Sequence, residues 1–71
     1  MSVSVIYFTE AFEHKTNDFP GKHSEPFLFT SLKEAMDNPF PAGCVSAIIQ
    51  DDETGCHTYS KQFGWNPLGK P

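Results

Sequence analysis

The sequence predicts an α+β domain: a small antiparallel sheet of three to four strands with one short helix packed on one face, in the order β-(β)-α-β-β. Three observations predict it. Apolar residues alternate near the start of the chain, a capping box opens a short helical stripe near the middle, and an acidic turn with a glycine joins two alternating segments in the second half.

Residues 2–9 read SVSVIYFT. Val3, Val5 and Tyr7 share one face of a strand, and Ser4, Ile6 and Phe8 share the other. β-Branched and aromatic residues favour the extended chain, and the run can continue to Phe12. Residues 13–25 form a long polar loop punctuated by Pro20-Gly21, a pair suited to the centre of a type II turn. Residues 26–30, PFLFT, read either as a short second strand or as an extended lead-in to a helix.

The helix follows directly. Ser31 and Glu34 match a capping box, in which the serine hydroxyl accepts from the Glu34 N–H and the carboxylate reaches back to the Ser31 N–H. Leu32, Ala35 and Met36 form one apolar stripe. Asn38-Pro39 ends it, because a residue before proline is pushed out of the α region. About two turns cannot persist alone, so this helix needs a sheet to pack on. Phe40, in the PFPAG connector, is placed to plug the core.

A hairpin comes next: Cys44–Gln50, a turn over residues 51–55, and Cys56–Phe63. Gly55 fits the left-handed position of the loop. Val45, Ala47 and Ile49 line one face of the first arm. Tyr59, Lys61 and Phe63 line one face of the second with His57, so odd residues should meet odd residues. That register sets Ile49 opposite His57, Ala47 opposite Tyr59 and Gln50 opposite Cys56. It leaves Cys44 roughly 20 Å along the sheet from the Cys56 level, too far for a disulfide. The strand at 2–9 is expected beside this hairpin. Trp65 is placed to fold back on the sheet, and residues 67–71 are expected to fray.

The chain has 71 residues, which is one domain, 1–71. Burying roughly 7,000 Å² on folding contributes on the order of 100 kcal/mol. Ordering the chain costs about as much, so good packing of the seven phenylalanines, or a partner, must supply the difference. The net charge is −4, with nine acids, five lysines and no arginine. Arginine provides the bidentate fork for guanine and phosphate, and the lysines are scattered, so neither DNA nor RNA is an expected partner. No apolar run approaches a membrane span, and the start of the chain does not read as a signal peptide. A cytoplasmic location with reduced thiols is expected.

Several groups invite a chemical reading. Cys44, Cys56, His14, His23 and His57 are candidate metal ligands, but no close pair such as C-x2-C is present. Cys56 and His57 are strand neighbours and point to opposite faces. No nucleophile elbow, metalloprotease motif or phosphate loop occurs. Asp51-Asp52-Glu53 lacks calcium-loop spacing and reads as a solvated turn. Tyr59, Phe63 and Trp65 fall at i, i+4 and i+6, so one face carries all three, with Lys61 at its rim. They either close one end of the core or anchor a partner.

The expected function is a small non-enzymatic protein-interaction module, an adaptor or inhibitor of the kind bacteria and phages encode. It binds another protein through Tyr59, Lys61, Phe63 and Trp65 and through a sheet edge. A homodimer is the variant in which the partner is a second copy. The alternative is a small metal- or ligand-binding domain using the loop histidines and a cysteine. No cofactor and no metal is expected under the first reading.

Overall fold

β1 spans Val3–Phe8 and alternates buried and half-buried residues along its length. The computed structural model describes residues 2–12, 21–61 and 64–69. β1 stops at Phe8, short of Phe12, and most of the polar loop at 13–25 lies outside the described residues. The described end of that loop returns along β1. The Thr9 N–H donates to the Lys22 carbonyl at 3.0 Å and the Ser24 N–H to the Tyr7 carbonyl at 2.8 Å. The Ser24 hydroxyl takes the place of a backbone acceptor, receiving the Tyr7 N–H at 3.1 Å.

Residues 27–29 do form a strand, β2 (Phe27–Phe29), antiparallel to β1. α1 covers Leu32–Asp37. Ser31 caps it as expected, its hydroxyl accepting from the Glu34 N–H at 3.2 Å. The other half of the box differs: the Glu34 carboxylate accepts from the Thr30 hydroxyl at 2.6 Å and the Ser31 hydroxyl at 3.4 Å. Thr30 sits between strand and helix, where its hydroxyl reaches the carboxylate first. Ala35 is fully buried, Leu32 and Met36 pack beside it, and Asn38 is extended before Pro39.

β3 (Ser46–Asp51) and β4 (Gly55–Ser60) form the hairpin. Its register is the expected one, with Ala47 opposite Tyr59, Ile49 opposite His57 and Gln50 opposite Cys56. Gly55 holds φ at +89°, a conformation costly for any residue with a Cβ. Both cysteines are free.

Among the described residues the sheet has five strands rather than three to four, all antiparallel, in the order β2-β1-β3-β4-β5. β5 (Gly64–Gly69) comes from the stretch read as exit and tail. The second arm was expected to run on to Phe63, but β4 ends at Ser60 and the chain reverses so that Ser60 pairs with Gly64. Gly64 has φ +70°, which is what permits that reversal. Pro67 and Gly69 then pair with His57 and Cys56, so residues 67–69 belong to a strand.

The core lies between α1 and one face of the sheet. Val3, Val5, Tyr7, Ala35, Ala47 and Ile49 form it, with Phe29, Phe40, Tyr59 and Trp65 packed around them. Tyr7 is fully buried, and its hydroxyl accepts from Asn38 Nδ2 at 2.7 Å, which ties the end of α1 to the sheet. On the opposite face Ser46, Thr58 and Ser60 are buried. The Ser46 hydroxyl donates to the Glu10 carbonyl there and anchors the chain leaving β1.

Candidate functional site

The aromatic residues gather at one end of the helix-covered face. Tyr59 and Trp65 are cross-strand partners, with ring centroids 5.3 Å apart in an edge-to-face arrangement. Phe40 lies 4.9 Å from Tyr59 and 6.4 Å from Trp65, and 5.0 Å from Tyr7. The plug expected of Phe40 is therefore what joins this cluster to the core. Edge-to-face contacts of this kind add to area burial and hold the rings in place.

This placement corrects one expectation. Tyr59, Phe63 and Trp65 were expected to share one face along the last strand and its exit, with that strand running on to Phe63. Tyr59 and Trp65 instead meet across the β4–β5 pair, because the reversal at Gly64 brings Trp65 back beside Tyr59. Phe63 lies outside the described residues. Lys61 is exposed in the turn after β4.

Next to these rings is a groove of about 230 Å³, lined by Phe40, Cys44, Val45, Tyr59 and Lys61. Sequence reasoning missed Cys44 and Val45 as members of it. Val45 was expected to face inward with Ala47 and Ile49, yet it is 42% exposed. β3 begins only at Ser46, so the period-two alternation does not reach back to Val45. Its N–H is fixed by the Phe8 carbonyl at 2.9 Å, and the Cys44 N–H by the Pro41 carbonyl at 3.0 Å. Cys44 in that turn packs against the core. The proline pair flanking Phe40 was the available signal that the strand starts late.

Among the described residues the candidate ligands do not converge. Among the described residues no three His, Cys, Asp or Glu side chains stand together as a metal-binding group. His14 lies outside the described residues. His23 is exposed, with Nδ1 3.0 Å from the Ser24 carbonyl. His57 is buried at the base of the β3–β4 turn, and its Nε2 lies 2.7 Å from the Thr54 hydroxyl.

That hydroxyl also donates to Asp51 Oδ2 at 2.9 Å. A hydroxyl has one proton and a carboxylate only accepts, so Thr54 gives its proton to Asp51 and receives one from His57 Nε2. His57 thus acts as a donor here, and the Thr54 proton is committed to Asp51. The arrangement is that of a tied turn. The Glu53 N–H, at 3.0 Å from Asp51 Oδ1, and the Thr54 hydroxyl hold the Asp51 carboxyl below its ordinary value, with the charge of His57 adding to them. Asp52 accepts from both the N–H and the hydroxyl of Ser2. The acidic turn expected to be solvated is therefore held by a local network and fastened to the start of β1.

Among the described residues no helix is long and apolar enough to cross a membrane. The chain matches no family model, no curated protein and no solved structure. The site must be read from its own geometry.

Proposed function

We propose that the protein is a non-enzymatic protein-interaction module, an adaptor or inhibitor of the kind bacteria and phages encode, acting in the cytoplasm. Its binding surface is the end of the molecule that carries Tyr59, Lys61 and Trp65, together with a sheet edge, and the sequence adds Phe63 to that set. The observation that carries this reading is the groove beside Tyr59. Phe40, Cys44 and Val45 form its apolar wall, Val45 stands exposed, and Lys61 adds a charge at the rim.

The physical case rests on preorganisation. Tyr59 and Trp65 are half-buried and already packed on Phe40, so little side-chain freedom remains to be lost on binding. Aromatic anchors with a polar end and a fixed rotamer are the commonest strong points of protein interfaces. A second copy of the chain is one partner that would fit this surface.

The test compares wild type with Val45→Glu and Lys61→Glu. Both positions are exposed, so the fold should survive, as checked by circular dichroism. A partner captured from extract is purified and its affinity measured by calorimetry. The proposal expects Val45→Glu to weaken binding about tenfold or more, with a smaller loss for Lys61→Glu. Equal affinity for all three proteins would remove the groove from the interface.

A further inference from the structure

The two edges of the sheet differ. β5 contains Pro67, which has no N–H to offer, and its register shifts beside Cys56 and His57. Both features blunt an edge against pairing. β2 has neither. Phe27–Phe29, which follows Pro26, contains no proline and no charge, and among the described residues it pairs with β1 on one side only. Leu28 is 77% exposed and Phe27 is 41% exposed.

The surroundings of β2 are acidic. A cavity of about 400 Å³ lies between Phe29 and α1, with Lys33, Glu34 and Asp37 in its lining. A second, of about 220 Å³, has Leu32, Asp51 and Glu53 in its lining, and Ser31 borders both. Lys33 is the one lysine lining either cavity. It is committed to Asp37 at 2.8 Å, a contact that raises its pKa through the hydrogen bond first and the charge second. Glu34, Asp51 and Glu53 have no lysine against them in these cavities. A second copy would bring the same carboxylates together, on a chain of net charge −4. A three-residue edge also offers far less than the roughly 1,600 Å² of a standard interface.

We propose that β2 takes up an extended segment of another protein that bears lysine or arginine, by strand addition. The backbone of the segment pairs with the outer side of Phe27–Phe29. Its side chains alternate. Those on the helix-covered face are basic and face Glu34 on α1, and those on the other face are apolar and meet Leu28. This inference rests on the protein-interaction reading and names the edge and the partner chemistry.

The probes are three hexapeptides titrated into the isotopically labelled full chain and followed by amide NMR shifts. One alternates valine and lysine, one alternates valine and glutamate, and one is the lysine peptide with alternate amides N-methylated. The lysine peptide should shift the amides of Phe27, Leu28 and Phe29 and that of Glu34. The glutamate peptide should bind about tenfold more weakly, the sum of a few exposed charge pairs. N-methylation should abolish the shifts at β2, and added salt should weaken them.

Equal binding of the lysine and glutamate peptides overturns the basic occupant. So does sedimentation showing that the free chain self-associates through β2, since the occupant is then a second copy. Shifts confined to Val45, Tyr59 and Trp65 overturn the choice of edge while leaving the interaction reading intact. Absence of any shift with the lysine peptide overturns the inference, and the Val45→Glu comparison still decides the broader reading separately.

Discussion

Asp51 shows how much a single side chain organises at the β3–β4 turn. It accepts the Glu53 N–H and the Thr54 hydroxyl, and Thr54 in turn receives His57. A carboxyl held below its ordinary value contributes stability above its unfolded pKa and loses it as pH falls through the folded one. For Asp51 that window lies around and below the ordinary carboxyl value of 3.8. Asp51→Asn cannot take up that proton. Urea unfolding at neutral and at strongly acid pH should therefore show a smaller loss for Asp51→Asn than for wild type. Equal losses would mean that the Asp51 contacts do not distinguish the folded from the unfolded chain. The sequence marked Asp51, Asp52 and Glu53 as turn residues by composition. It could not show that His57 closes the network, because that requires the three-residue spacing to be folded back across the turn. Val45 is the converse case. Its place in an alternating run suggested burial, and only the late start of β3 exposes it.

At the scale of elements, local signals were the legible ones. The Ser31 cap, the Ala35 stripe and the stop at Asn38-Pro39 are each set by residues within a few positions of one another. The β3–β4 register was legible too, because one face of each arm carries the large apolar residues and a slip of one residue would expose them. β5 was not. GWNPLG has no alternation of apolar residues and contains a proline and two glycines, which argue against a strand interior. It is tolerated because β5 is the outermost strand, the place in a sheet where a proline costs least. The reversal that delivers β5 depends on Gly64 at φ +70°, with open space around the position of a Cβ. Gly64→Ala should therefore cost about 1 kcal/mol from backbone strain alone. That corresponds to a fall in Tm of about 4–8 °C for a domain this small. Gly64→Asn should lose less, since asparagine tolerates the left-handed region better. Thermal scans of the two variants check this, and an unchanged Tm for Gly64→Ala would contradict the turn geometry.

The whole molecule presents two unlike ends. At one, Phe40, Cys44, Val45 and Tyr59 line an apolar groove together with Lys61, and Trp65 packs against Phe40 and Tyr59. At the other, carboxylates from α1 and from the β3–β4 turn flank the uncapped edge of β2. Composition alone showed an acidic chain with many aromatics but not their separation, because that follows from strand order. The order β2-β1-β3-β4-β5 sends the third strand in sequence to the centre beside the first and leaves β2 and β5 outermost. Both proposed surfaces depend on that order: Trp65 reaches Tyr59 only if β5 pairs with β4, and β2 is open only if nothing lies beyond it. The most direct measurement is therefore a set of NMR contacts between ring protons in the free protein. The account predicts cross-peaks from Trp65 to Tyr59 and to Phe40, and from Phe27 to Tyr7, whose ring centroids lie 5.5 Å apart. A Trp65 ring without contacts to Tyr59 and Phe40, on a segment 64–69 whose amides exchange freely, would contradict it.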